Sequence, residues 1–282
     1  MTARVMQAEV RGIGLIGAGI ADWTAGAAIL CGNQEWQSAP LAVPPAVFLP
    51  PAERRRTSKA VRLALACAHQ AVSDSGLAAA DIASVFASSD VDAENTHEIC
   101  LALNEREPSL SPTRFHNSVQ NAVSGYWTIL TGARVPTTMV MGGDEILALG
   151  LLEALAQASM SPRPVLLVVF DVAMPAPLFA TRPIEGGGAI ALVLAAGGGE
   201  RTLAARVTPR GAEGCDDGSV GERASPDGAG RTADRVPAPI RRVHPVGPAL
   251  PLLGYLASRT RGRSTLPLDR YHSLEITINC NQ

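Results

Sequence analysis

The sequence predicts a layered α/β fold in which helices cover both faces of a sheet. Thr137–Met141 is an apolar, partly β-branched run that is typical of a strand. Residues 145–159 follow as a helix that is apolar on most of its circumference, which indicates that it is buried. Two further apolar strands are predicted at residues 165–172 and 189–195. Strands that are nearly continuous in Val, Leu and Ile are typical of a sheet covered on both faces.

Composition limits the classes of function that fit this chain. Its 282 residues correspond to one or two domains, and 46% apolar residues are enough for a sizeable core. A net charge of −2 provides no basic field for nucleic acid or an anionic membrane. With 4% aromatic residues, the chain also lacks a stacking platform for single strands. We therefore expect no nucleic-acid partner.

The cysteines and the apolar runs predict a cytoplasmic protein without a metal or a membrane span. The five cysteines are Cys31, Cys67, Cys100, Cys215 and Cys280. Their odd number and the absence of a CxxC pair indicate neither a disulfide framework nor a zinc site, so a reducing compartment is expected. No signal peptide is visible, and the longest apolar stretch, residues 146–158, is too short to span a bilayer.

The N-terminal part is predicted to contain a strand, an irregular segment and a helix. Residues 9–16 form the strand, and residues 21–51 are predicted to be irregular because they contain five prolines. Thr57 or Ser58 can cap the helix, which ends before Gly76.

The elements that follow lead to the buried helix. A strand is predicted at Ala83–Ser88, and helices are predicted at residues 93–105 and 117–130. After the strand at Thr137–Met141, two glycines make a tight turn. Asp144 is expected to cap the buried helix that comes next.

Composition changes after residue 196, which predicts a division of the chain. Residues 1–196 form the α/β domain. Residues 197–244 are rich in Gly, Arg, Asp and Pro and are predicted to be a largely disordered linker. Residues 245–282 are predicted to pack back on the domain with a short helix at 250–257 and a strand at 274–278.

Gly12, Gly14 and Gly17 match the GxGxxG pattern of dinucleotide-binding sites. That pattern binds a cofactor only where a helix begins within it. Here the glycines lie within the first predicted strand and lead to the Pro-rich segment. The favoured interpretation is a strand of small residues against which another layer packs closely, and no cofactor is expected.

Few side chains stand out as catalytic groups. His116 lies in the densest polar cluster, residues 114–121, which a polar helix entrance explains better than a catalytic base does. Cys67 and Cys100 lie on predicted helices and are interpreted as packing residues. The sequence contains no GxSxG, HExxH or P-loop motif.

Four segments together form a recognisable pattern. They are residues 111–127 (SPTRFHNSVQNAVSGYW), 52–57, 84–90 and 186–194, of which the first is the most specific. The pattern resembles the N-terminal half of β-ketoacyl-acyl-carrier-protein synthases. It is most similar to the short chain-length-factor proteins of aryl polyene and xanthomonadin-type type II pathways. The resemblance covers residues 8–196 and, more weakly, residues 245–278.

The resemblance implies a thiolase-like half-fold, a layered βαβαβ sheet with a buried central helix. In full synthases, which build this fold twice, a strand leads into a sharp turn that places an acyl-accepting cysteine at the start of that helix. In this chain the residue at the nucleophile's position is Gly142, which cannot carry an acyl group. Too few residues follow Leu194 to build the second half with its two histidines.

Two functions follow from this resemblance. The first is a non-catalytic partner of a full-length ketosynthase, in a heterodimer that binds acyl-carrier protein transiently. In the family the segment around Phe115 lies at the dimer interface, so this subunit would close the acyl tunnel and set product length. The candidate interface and tunnel residues are Phe115, His116, Asn117, Val119, Gln120, Val123 and Tyr126. Val119 and Val123 are expected on one face of the helix at 117–130.

The alternative function is a stand-alone enzyme for acyl transfer or thioester processing. It would use a different nucleophile or base, for which His116 and Cys100 are the candidates.

Overall fold

A computed structural model describes residues 5–45, 47–210 and 243–281, which build one eight-stranded sheet. Its strands are β1 (Met6–Ile16), β2 (Ala83–Ser88), β3 (Thr137–Met141), β4 (Val165–Asp171), β5 (Gly188–Ala195), β6 (Arg201–Pro209), β7 (Gly262–Pro267) and β8 (His272–Cys280). Their order in space is β3-β2-β4-β5-β1-β6-β8-β7. β3, β2 and β4 are parallel, and the pairs from β4 onwards are antiparallel.

Helices cover both faces of the central strands. They are α1 (Trp23–Cys31), α2 (Pro51–Arg54), α3 (Lys59–Ser75), α4 (Ala93–Leu103), α5 (Pro112–Asn117), α6 (Ala122–Thr131), α7 (Ile146–Met160), α8 (Ala176–Phe179) and α9 (Val246–Ser258), with a 3₁₀ turn at Ala79–Asp81. α1, α7 and α9 pack on one face, and α3 and α6 pack on the other.

β4 contributes side chains to the apolar cores on both faces of the sheet. Its residues Val165, Leu167 and Val169 join the core under α7, and Leu166, Val168 and Phe170 join the core under α3. Successive side chains of a strand point to opposite faces, so an unbroken apolar run is buried on both sides. The predicted layered α/β fold is confirmed.

Several elements have the predicted bounds. β2 and β3 agree residue for residue with the prediction. The Oγ of Ser58, rather than that of Thr57, accepts a hydrogen bond from the N–H of Val61 at 3.3 Å and starts α3. Gly76 ends this helix in the left-handed conformation with φ 67°.

The prediction that residues 21–51 are irregular is wrong at their start. The carboxylate of Asp22 accepts a hydrogen bond from the N–H of Ala25 at 2.8 Å and begins α1, which ends at Gly32. All five prolines of the segment follow this helix, so they restrict only the later residues.

The predicted helix at residues 117–130 is two helices, because residues 118–121 separate α5 from α6. The hydroxyl of Ser118 donates to the carbonyl of Phe115 at 2.8 Å, and that of Ser124 donates to the carbonyl of Asn121 at 3.0 Å. Such bonds offer the backbone an alternative to a continuous helix. Val119 therefore lies in the connection and shares no helical face with Val123.

The prediction of a linker at residues 197–244 is wrong for the part that forms β6. This strand pairs with β1 and β8, and Leu203 and Ala205 are buried in the core. β6 has only three buried residues, Thr202, Leu203 and Ala205, and it contains two arginines, so its sequence lacks a clear strand signal. Residues 211–242 of the predicted linker lie outside the described residues.

The C-terminal helix and strand are present as α9 and β8, each longer than predicted. β7, which pairs with β8, was not predicted. α9 packs on the same side of the sheet as α1 and α7. The C-terminal segment thus extends the sheet of the N-terminal part.

The GxGxxG glycines lie where α3 packs closely on β1. A Cβ at Gly12 would lie 2.1 Å from the carbonyl oxygen of Ala71, and a Cβ at Gly14 would lie 2.3 Å from that of Cys67. A helix, α1, does begin six residues after Gly17, contrary to the expectation of a wholly irregular segment. The close approach of α3 nevertheless explains why small residues stand at Gly12 and Gly14.

Candidate functional site

The turn between β3 and α7 is the place where the resemblance positions a nucleophile. Gly142 and Gly143 follow β3 directly, and α7 begins after Glu145. The predicted order of strand, turn and buried helix is confirmed. A Cβ at Gly142 would lie 2.6 Å from Cδ1 of Leu149, so α7 already fills the space beside this residue.

Asp144 does not cap α7 as predicted. No side chain caps this helix, and Oδ1 of Asp144 instead accepts from Nη2 of Arg182 at 2.8 Å and from its Nε at 3.2 Å. The Asp144 side chain is largely exposed, so this ion pair contributes little to stability.

Asp171, the last residue of β4, is the centre of a buried hydrogen-bond network. Its Oδ1 accepts from the hydroxyl of Ser88 at 2.9 Å, from the N–H of Ser89 at 2.9 Å and from the hydroxyl of Ser89 at 2.7 Å. Its Oδ2 lies 2.6 Å from Nδ1 of His244. Parallel pairing of β2 with β4 brings Ser88 beside Asp171. These donors replace the water that a buried carboxylate loses.

His244 reaches this network from the segment that precedes α9. Its Nε2 lies 3.2 Å from the carbonyl oxygen of Asp144, while its Nδ1 faces the carboxylate of Asp171. Both partners are acceptors, so the geometry favours a ring that donates from both nitrogens, an imidazolium. Burial lowers the pKa of His244, but the hydrogen bond and the charge of Asp171 outweigh burial and raise the pKa above its usual value.

Two more charged residues, Asp90 and Arg182, lie near the network. Burial and repulsion from Asp171 raise the pKa of Asp90, and the nearby Arg182 opposes this change. Arg182 and His244 thus supply positive charge to a region with three aspartates, Asp90, Asp144 and Asp171.

The network differs from a nucleophile paired with a base. Ser88 and Ser89 donate to Asp171, whereas both nitrogens of His244 face other acceptors, Asp171 and the carbonyl of Asp144. A catalytic serine needs a free basic nitrogen beside its hydroxyl. The arrangement therefore holds chain segments together and activates no hydroxyl group.

The groups considered for a different enzyme lie on other elements. Cys100 is exposed on α4, and His116 is exposed on α5 with its ring edge-on to Tyr126, the centroids 5.9 Å apart. Cys67 is buried in the core under α3, across the sheet from α7, and burial raises the pKa of its thiol. Cys215 lies outside the described residues.

Four of the seven predicted interface residues are exposed. Phe115 is 60% exposed and Val119 is 43% exposed, and His116 and Gln120 are exposed beside them. Exposed apolar side chains on neighbouring turns are typical of a surface that binds another protein.

The other three predicted interface residues are buried within the chain. Val123 belongs to the core under α3. The amide of Asn117 donates to the carbonyl of Arg56 at 2.7 Å, and the hydroxyl of Tyr126 donates to Oδ1 of Asn117 at 3.2 Å. These side chains support the segment from within.

β3 forms one edge of the sheet, and its residues are uncharged. Met141 at its end is exposed, as is Ile129 on the adjacent α6. The opposite edge, β7, carries Arg263 and ends at Pro267, which are features that prevent pairing with another strand. Of the two edges, β3 is the one open to pairing.

The described ranges contain no group of three or more His, Cys, Asp or Glu side chains placed to hold a metal ion. None of their helices has the length and apolar character needed to cross a membrane.

Three solved structures are similar to the chain over almost its whole length. The ketosynthase ApeO in complex with its chain length factor ApeC from Xenorhabdus doucetiae has 22% identity and a TM-score of 0.68, covering 96% of this chain and 99% of that chain. The ishigamide ketosynthase/chain length factor has 13% identity and a TM-score of 0.68, covering 98% and 100%. AntDE:AntF, a type II PKS acyl-carrier protein in complex with its ketosynthase, has 12% identity and a TM-score of 0.67, covering 99% and 100%. These similarities confirm the thiolase-like fold.

Sequence comparison identifies the family. No curated protein matches the chain. The family model for the β-ketoacyl synthase N-terminal domain matches residues 31–228, which is more than half of the chain. The chain therefore belongs to the β-ketoacyl synthase family and corresponds to the N-terminal domain of its members.

Proposed function

We propose that the chain is a non-catalytic partner of a full-length β-ketoacyl synthase in type II fatty acid or polyene biosynthesis. The observation that carries this proposal is the turn before α7, where Gly142 offers no atom to accept an acyl group. Two of the similar structures contain a ketosynthase with a chain length factor, which supports a paired arrangement. The role of the chain is then to shape the acyl tunnel of its partner.

The open edge at β3 supports pairing with the synthase on this side. An uncharged edge strand leaves a row of backbone donors and acceptors for another chain. Exposed apolar residues, Ile129 and Met141, lie on the elements at this edge. A partner that covers the edge would remove both the unpaired backbone groups and the apolar side chains from water.

Phe115 and Val119 are the residues expected to contact the tunnel of the synthase. Both are apolar and exposed, and Gln120 beside them provides a polar end. An apolar tunnel accepts or rejects an acyl tail by volume, and one methylene is worth about 1–3 kcal/mol in such a pocket. The size of the side chain at position 119 would therefore select the length of the product.

Transient binding of acyl-carrier protein is supported by a basic segment at residues 54–62. Arg55 and Lys59 are exposed there, whereas Arg54 donates to the carbonyls of Val47 and Leu49 and holds the preceding loop. A local positive cluster on a chain of net charge −2 attracts an acidic protein and raises the rate of encounter.

The test is reconstitution with the full-length synthase encoded nearby. The two chains are co-expressed with a tag on the synthase, and products are compared with those of the synthase alone. We expect this chain to co-purify in a one-to-one complex and the product lengths to change. Failure to co-purify, or an identical product distribution with and without the chain, would contradict the proposal.

A further inference from the structure

The segment at residues 243–246, which leads into α9, lies against the turn that follows Gly142. His244 contacts Asp171 at the end of β4 and the carbonyl of Asp144, two residues after Gly142. On either side of His244, Val243 and Val246 pack over the glycines that precede and begin β5. A Cβ at Gly186 would lie 3.5 Å from Cγ2 of Val243. One short segment thus touches the ends of three elements that converge on the turn.

We propose that His244 is a positioning residue that acts as a latch: as an imidazolium it fastens the segment before α9 to Asp171 and to the turn at residues 142–145. The purely structural role of this latch rests on the proposed function, in which no acyl group is bound at the turn. The test uses this chain alone, so its failure would leave pairing with a synthase untouched.

The geometry distinguishes His244 from a surface histidine. Its side chain is 12% exposed and that of Asp171 is 4% exposed. If the ring is removed, the carboxylate of Asp171 stays buried and loses a charged donor, while the carbonyl of Asp144 loses its donor as well. The space left behind has the shape of an imidazole ring and is lined by two acceptors.

The chain contains a matched control in His272. Its Nδ1 lies 3.0 Å from Oδ2 of Asp269, so it also forms a pair with an aspartate. Both of these side chains are about half exposed and close only a local turn. Water replaces such a partner easily, so its loss should have little effect.

The first experiment is thermal unfolding of the full chain, its His244→Ala variant and its His272→Ala variant at pH 6.5. We expect His244→Ala to lower Tm by about 5–10 °C. The Tm of His272→Ala should stay within about 2 °C of the Tm of the unaltered chain. Free imidazole, added at constant pH, should raise the Tm of His244→Ala by at least about 2 °C by filling the vacated space. It should not change the Tm of the other two proteins.

The pH dependence provides a second readout. The groups that face the imidazole are the carboxylate of Asp171 from β4, the carbonyl of Asp144 from the turn before α7 and Arg182 from the connection before β5. Asp90, from the connection after β2, interacts with Asp171 and Arg182. Ordinary carboxylates and arginine keep their charge between pH 6 and 9.5. Asp90 has a raised pKa, so its contribution to the pH dependence of Tm is measured with the Asp90→Asn variant.

The sign of the pH effect follows from the raised pKa of His244 in the folded chain. Its stabilising contribution is complete below about pH 6.5 and is lost as pH rises through the folded value. The difference in Tm between the unaltered chain and His244→Ala should therefore shrink from pH 6.5 to 9.5, with or without Asp90→Asn.

Three results would overturn the latch. They are an equal Tm for His244→Ala and His272→Ala, no specific effect of imidazole, and a Tm difference that stays constant across this pH range. If His244→Ala does not fold, His244→Gln replaces it in the pH series. Glutamine keeps a donor without the charge, so its Tm deficit should also shrink as pH rises.

Discussion

The hydroxyl of Tyr126 donates a hydrogen bond to Oδ1 of Asn117 across 3.2 Å, and both side chains are buried. Asn117 ends α5 and Tyr126 lies in α6, so the bond joins the helices on either side of residues 118–121. The amide of Asn117 is in turn fixed to the carbonyl of Arg56. The connection that presents Val119 to solvent is therefore held from within by two side chains of the same motif.

This arrangement makes Val119 and Val123 a matched pair for testing the tunnel. Val119→Phe adds volume to an exposed side chain, so the reconstituted complex should make shorter products while its Tm stays within about 2 °C. Val123→Phe overpacks the core and should cost about 1–3 kcal/mol of stability without changing product length. Product lengths and the Tm of each complex are measured together.

An unchanged product distribution with Val119→Phe, in a complex that still forms, would exclude a tunnel role for this residue. A change in product length that appears only with Val123→Phe would indicate that core packing, and not a tunnel wall, controls specificity.

Charge at the open edge should prevent assembly with the synthase. Met141→Lys places a cation at the end of β3, where burial against a partner would leave it unpaired. We expect the dissociation constant of the complex to rise about tenfold or more. Met160→Lys is the control, because Met160 is exposed at the C-terminal end of α7, whereas Met141 precedes the N-terminal end of that helix. Equal affinities of the two variants in a titration with the synthase would show that the interface lies elsewhere.

The glycines of β1 should be required for packing. Gly14→Ala would place a Cβ 2.3 Å from the carbonyl oxygen of Cys67, so we expect it to cost at least about 1–3 kcal/mol in urea unfolding. Gly125→Ala on α6 meets open space and should be neutral or stabilising by up to about 1 kcal/mol. If Gly14→Ala is as stable as the unaltered chain, close packing against α3 does not explain this glycine.

Strong local signals made much of the fold predictable from sequence. Ser58 and Gly76 bound α3 because a cap and a left-handed stop act locally, and the apolar runs of β2 and β4 are characteristic of strands buried on both faces. β6 was missed because its pairing with β1 and β8 is a tertiary effect that overrides a Gly- and Arg-rich composition. α1 was missed because prolines later in the same segment concealed the cap at Asp22.

The site was only half predictable. The turn at Gly142 is contiguous in sequence, so its order of strand, glycines and buried helix could be predicted. The pair of Asp171 with His244 joins residues 73 positions apart, and His244 lay in a segment predicted to be a linker. One signal was available, since an aspartate that ends an otherwise apolar strand needs a buried partner. Which residue is that partner could be known only from the fold.

The location of the acyl group tests the central claim most directly. The co-purified complex is incubated with acyl-carrier protein that carries a labelled acyl chain, and both subunits are analysed by intact and peptide mass spectrometry. We predict the label on the synthase subunit and none on this chain, because Gly142 cannot form a thioester. Stable acylation of this chain, at Cys67, Cys100 or any other residue, would contradict a non-catalytic role.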